Sequence, residues 1–123
     1  TAIAESAGKG GLLTNSKGTT TAREVWGQPA EWCDYSGEVD GQPVGITIAA
    51  HPQNVRPSWW HARDYGFMAA NLFGRAAMQQ GEPSRIEVPL DGRFRLRYAI
   101  IVHDGRPGGD YDPAAAIEKL GEW

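Results

Sequence analysis

The dipeptide Asp40-Gly41 separates two stretches of alternating character, residues 31–39 before it and Val44, Ile46 and Ile48 after it. Asp-Gly tolerates the positive φ angles of a type I′ turn, and alternation on both sides gives each strand one buried and one wet face. A β-hairpin is expected here. A second pair is written near the other end, where residues 85–88 lead through Pro89, Leu90, Asp91 and Gly92 into residues 93–103. In that last run Phe94, Leu96, Tyr98 and Ile100 alternate with Arg93, Arg95 and Arg97, the two-residue period of a half-buried strand. Ile101 and Val102 interrupt the period and predict burial on both faces at the strand's end. One helix is expected, at residues 113–120: Asp112 is its cap, Pro113 its first residue and Gly121 its stop. The class is therefore mainly β and antiparallel, with one short C-terminal helix.

Composition supports this and narrows function. The chain has 123 residues, one domain's worth, and its 16 Gly and 8 Pro forbid a long-helix protein. Twelve Lys and Arg against 15 Asp and Glu leave a charge of −3 with no basic block, so neither nucleic acid nor an anionic membrane surface is an expected partner. No apolar run approaches the roughly 18 residues of a transmembrane helix, and no signal-peptide pattern occurs. The expected setting is soluble and cytoplasmic, or secreted if a longer parent chain carries a leader. Cys33 is the only cysteine, which excludes an internal disulfide and every cysteine-based zinc signature. Residues 1–21 read as a loose N-terminal arm or edge strand. The chain starts with Thr1 rather than Met, as a processed product, a fragment or a chain that lost one initiator Met would, and residues 1–123 are read as a single domain or a piece of something larger.

Residues 51–71, HPQNVRPSWWHARDYGFMAAN, hold the densest set of polar, aromatic and imidazole groups. Their first half reads as a loop that Pro52 and Pro57 stiffen, and a stiff loop can hold side chains in fixed directions; residues 66–73 read as a further strand. His51 and His61 are candidate general acids or bases, because imidazole changes charge near neutrality. Either is equally an ordinary hydrogen-bonded histidine. With His103 they offer a three-histidine metal site, but no ligand spacing supports it and no metal is assigned. Trp59 and Trp60 point oppositely on an extended chain, so one can stack on a sugar ring while the other packs inward. Arg56 and Arg63 present planar forks to a carboxylate, with Asp64 as a local partner. Asn54 and Asn71 suit sugar hydroxyls or loop carbonyls alike.

The cluster Trp32, Asp34, Tyr35, Gly37, then His51, Pro52, Asn54, then Trp60, His61, Arg63, Tyr65, Gly66, and finally Asn71, Phe73 and Gly74 resembles a bacterial family of unknown function whose members are labelled PmoA-like, after a methane oxygenase. The likeness covers residues 11–105. Val55 and Leu72 stand where that pattern carries proline. The label is not an activity, since the membrane component of that oxygenase needs several membrane helices. The resemblance implies a soluble antiparallel β-sandwich, jelly-roll or supersandwich-like, about twice this length and often encoded near proteins of carbohydrate use. This chain would then be a partial domain, its open sheet edges covered by a second chain or by a missing N-terminal half.

The expected function is to act on or bind a carbohydrate or sugar-derived acid. His51 and His61 are the candidate catalytic groups, and Asn54, Trp59, Trp60, Arg63, Tyr65 and Asn71 the substrate contacts. A lyase, hydrolase or epimerase is the enzymatic form of this expectation, and no cofactor is implied. The other form is a non-catalytic carbohydrate-binding or structural assembly module. Titratable groups converging on one pocket distinguish the first, aromatics on an open face the second.

Overall fold

A computed structural model describes residues 3–5 and 10–123 of the chain. Seven strands and two short helices are present among these residues: β1 (Leu12–Asn15), α1 (Ala22–Val25), β2 (Pro29–Ala30), β3 (Trp32–Val39), β4 (Gln42–Ala50), β5 (Ser58–Arg63), β6 (Phe67–Asn71), β7 (Tyr98–His103) and α2 (Pro113–Glu118). They form a four-stranded sheet in the order β1-β3-β4-β7 and a three-stranded sheet in the order β2-β5-β6, and every pairing is antiparallel. The expected mainly-β sandwich with a C-terminal helix is what folds.

The hairpin at Asp40-Gly41 forms as the dipeptide dictates. Asp40 has φ 50° and Gly41 φ 75°, the two positive values a type I′ turn demands, and Val39 pairs with Gln42 across it. The register then sorts side chains by parity. Leu13, Cys33 and Tyr35 share one face with Ile46, Ile48, Ile100 and Val102; Asp34, Thr47 and His103 share the other.

The first face meets the three-stranded sheet. Leu13, Val25, Cys33 and Trp60 are fully buried there, beside Tyr35, Ala22, Ala30 and Ala62. Trp60 is the centre of this core, and its indole N–H donates to the Ala30 carbonyl at 3.0 Å. Tyr35 ties the two sheets together by donating its hydroxyl to the Arg63 carbonyl at 3.1 Å. At the far side, Ser58 and Tyr98 exchange a hydroxyl hydrogen bond of 3.0 Å between the sheets.

Three expectations are corrected. Residues 58–63 are a strand, not a loop: Trp60 and Ala62 point into the core while Trp59, His61 and Arg63 alternate outward. Pro57 merely marks where the loop ends, since proline suits the residue before a strand. In the second expected hairpin, the turn forms, with Gly92 N–H donating to the Pro89 carbonyl at 2.9 Å, but residues 83–97 form no strand ladder and only Tyr98–His103 is a strand. A turn sequence fixes a local bend, and a ladder needs flanks that bury something; Val88, Leu90 and Phe94 are all exposed. Finally, Val102 is exposed rather than buried on both faces. A short helix, α1, adds to the expected elements; the Thr21 hydroxyl caps it by accepting from Glu24 N–H. The N-terminal arm contributes the edge strand β1, while residues 1–2 and 6–9 lie outside the described residues. No helix among the described residues is long and apolar enough to cross a membrane.

Candidate functional site

Loop residues 51–57 join β4 to β5, and Arg97 fastens them from across the sheet. The Arg97 carbonyl accepts from His51 N–H at 3.0 Å and from Asn54 Nδ2 at 2.9 Å. Arg97 N–H returns a bond to Asn54 Oδ1 at 2.9 Å, and its guanidinium reaches Gln53 Oε1 at 2.6 Å and the Trp123 carbonyl at 2.9 Å. Asn54 is thus a clamp on the backbone, its donor and acceptor both engaged. The same bonds draw the 117–123 segment up to the loop.

Between them lies an open cleft of about 980 Å³, lined by Trp32, His51, Arg56, Glu31, Glu118 and Trp123 among others. His51 Nδ1 accepts from Gln53 N–H at 3.0 Å, so the neutral ring carries its proton on Nε2 as a donor. The imidazole stands edge-on to Trp123, centroids 4.7 Å apart. Arg56 Nη1 is buried with no hydrogen-bond partner among the described residues. A buried guanidinium N–H without an acceptor is costly.

His61 and Arg63 are elsewhere. They lie on the outer face of the three-stranded sheet, where the His61 ring sits edge-on between Trp26 at 6.5 Å and Phe67 at 5.3 Å. The Arg63 guanidinium lies 6.0 Å from the Trp26 ring centre, and Tyr65, exposed, is 6.4 Å from Phe67. Trp59 faces the same side but is only 9 % exposed, and Trp60 is buried completely, so neither indole offers an open stacking surface. Asn71 is occupied locally, its Oδ1 accepting from Phe73 N–H at 2.9 Å. The residues singled out from the sequence are therefore divided between a cleft and a sheet face, with the core between them.

A third constellation escaped sequence reading. On the other face of the four-stranded sheet, Asp34 Oδ2 receives the Thr47 hydroxyl at 2.6 Å and faces His103 Nε2 at 2.6 Å. His103 Nδ1 is 3.0 Å from the Gly105 carbonyl, which can only accept, so that nitrogen carries a proton. Thr47, having spent its own proton on Asp34, accepts from the Tyr111 hydroxyl at 2.9 Å. Tyr111 stacks on the His103 ring at 3.6 Å and 10°. Desolvation by burial is the main cause that raises the Tyr111 hydroxyl above the usual tyrosine range. Gly45 is required beneath: a Cβ there would strike the His103 ring. Asp34 is 0 % exposed, and its Oδ1 has no partner among the described residues. Asp34 and His103 are buried and Tyr111 half-buried, and the network fastens Gly105 and Tyr111 to this face of the sheet.

The signal for it was present. Asp34 lies between Cys33 and Tyr35 in the hairpin strand, and Thr47 lies directly across the hairpin register. His103, 69 residues away in sequence, could not be assigned from spacing. Among the described residues no group of three His, Cys, Asp or Glu side chains could hold a metal ion.

No curated protein and no solved structure matches the chain. A family model described as a family of unknown function (DUF6807) matches residues 3–116, nearly the whole length. The chain that builds this two-sheet fold, its loop cleft and its buried Asp-His network belongs to the DUF6807 family.

Proposed function

We propose that the chain binds a carboxylate-bearing carbohydrate in the cleft beside residues 51–57. The observation that carries this reading is Arg56, a guanidinium in the cleft lining with one buried nitrogen lacking an acceptor. A planar fork of this kind pairs best with a carboxylate. Around it the lining has the mixture a sugar acid needs. Trp32 and Trp123 offer apolar ring faces, the His51 Nε2–H donates to a hydroxyl, and Glu31 and Glu118 accept from others. The likeness to the PmoA-like group, with its carbohydrate-use setting, supports a sugar over other organic acids.

Binding is preferred to catalysis because the two candidate imidazoles, His51 and His61, do not share a cavity. A structural or assembly role is the second reading, and one observation favours it: Ile100 and Val102 on the inward face of β7 are 69 % and 76 % exposed, as a sheet awaiting a covering partner would leave them. A second chain, or further residues of a longer one, would serve as that partner.

Calorimetric titration with glucuronate and with glucose tests the binding proposal. Saturable binding of glucuronate is expected, with the affinity falling about tenfold or more in Arg56→Met, the loss of one charge-assisted contact. Equal affinity in the variant, or no preference for the acid over the neutral sugar, contradicts it.

A further inference from the structure

A second, smaller concavity lies between α1 and β5, at the margin of the core. It measures about 330 Å³ and is lined by Ala22, Arg23, Trp26, Ala62, Arg63 and Asp64. Ala22 and Ala62 are buried and give it a small apolar floor. Trp26 forms a wall, and its indole Nε1 is buried with no hydrogen-bond partner among the described residues. Arg23 and Arg63 both line this space, and neither forms a salt bridge with a described residue; the ion pairs found are Arg85–Glu87, His103–Asp34 and Arg106–Glu38. Arg63 spends one N–H of Nη1 on the Ala62 carbonyl at 3.2 Å, which holds its guanidinium beside the groove and leaves its other donors available. Against these two guanidiniums the lining holds one carboxylate, Asp64, and a second, that of Glu5, accepts from the Ala22 N–H at 2.6 Å at the groove's edge.

Each of these features selects for something. Two forks without a carboxylate partner favour a planar oxyanion over a neutral group, because each can donate charge-assisted N–H bonds to it. The indole and the alanine floor favour an apolar body over water. The volume, at the lower end of the range of ligand pockets, limits that body to about one ring. The row continues past Trp26 into the edge-on rings of His61 and Phe67, which extends the aromatic surface beside the groove.

We infer that the groove bounded by Trp26, Arg23 and Arg63 is a second binding site, for a small cyclic carboxylate whose charged end meets the two guanidiniums while its ring rests against Trp26. This site does not depend on the reading of the 51–57 cleft: it shares no lining residue with it.

Benzoate is a suitable probe, with benzyl alcohol supplying the ring without the charge and inorganic phosphate the charge without the ring. The readout is the indole N–H resonance of Trp26 in a nitrogen-15 spectrum, assigned by its loss in Trp26→Phe. Benzoate is expected to shift that resonance saturably, with benzyl alcohol and phosphate each about tenfold weaker or worse. Because both arginines are exposed, Arg23→Ala and Arg63→Ala should fold normally, and the double variant should weaken benzoate by about tenfold. The indoles of Trp32 and Trp123, in the other cleft, report separately whether benzoate goes there instead. A non-saturating shift, a shift unchanged in the double variant, a response at Trp32 and Trp123 alone, or phosphate binding as tightly as benzoate overturns the inference.

Discussion

The two ends of the four-stranded sheet share one side-chain pattern and have opposite surroundings. At β1 and β3 the inward residues Leu13, Cys33 and Tyr35 are at most 2 % exposed, whereas at β7 the residues in register on the same face, Ile100 and Val102, are 69 % and 76 % exposed. Ile46, on the intervening β4, is already 38 % exposed. Alternation decides which way a side chain points; the width of the opposing sheet decides whether anything meets it. Three strands cover the β1–β3 end of a four-stranded partner, and the apolar stripe runs on past their edge.

Substitutions on the two ends test that contrast and should differ by a large margin. Trp60→Ala removes the largest side chain of the covered end and the indole bond to the Ala30 carbonyl, and should cost about 3–5 kcal/mol in chemical denaturation. Asp34→Ala probes the opposite face of the same sheet. It leaves His103 buried without its carboxylate and the Thr47 hydroxyl without its acceptor, for an expected loss of about 3 kcal/mol or more. A milder, matched pair sharpens the comparison further. Val25→Thr places a hydroxyl in the sealed core and should cost about 1–3 kcal/mol, whereas Val102→Thr, at 76 % exposure, should stay within about 0.5 kcal/mol. Equal costs at the two sites would show that Val102 is covered in solution, by a second copy or by more of the chain.

The smallest effect expected is on pH dependence. Desolvation holds the Tyr35 and Tyr111 hydroxyls above the ordinary tyrosine range, one on each face of the sheet. Their neutral forms are therefore favoured in the fold: the contribution is complete below about pH 10, where unfolded tyrosine begins to ionise, and is lost as the pH rises beyond it. Denaturation midpoints measured from neutrality into this alkaline range should fall, and the fall should be smaller in Tyr111→Phe.

Much of this fold was legible in short segments. Asp40-Gly41 specified a turn with two positive φ angles, and Asp112, Pro113 and Gly121 specified the start and stop of α2, because each of these acts through its own backbone. What could not be read depended on partners remote in sequence. Nothing local distinguishes residues 93–97, which alternate but form no ladder, from Tyr98–His103, which continue the run and find β4. The outward and inward alternation of Trp59, Trp60, His61, Ala62 and Arg63 was available as a strand signal, yet the flanking prolines and dense polarity suggested a loop. The candidate site suffered the same limit. His51 and Asn54 do share one loop, but the bond network through Arg97 shows Asn54 engaged with backbone, and the separation of His51 from His61 follows from β5 carrying His61 around to the far side of the core.

The binding proposal comes down to where an acidic sugar touches the molecule. A chemical-shift map of the nitrogen-15 labelled protein titrated with glucuronate answers that directly. Shifts are expected to gather on residues 29–32, 49–57 and 117–123, with the Arg56 side chain among the most affected; shifts that are absent, or that collect away from the 51–57 loop, would contradict it.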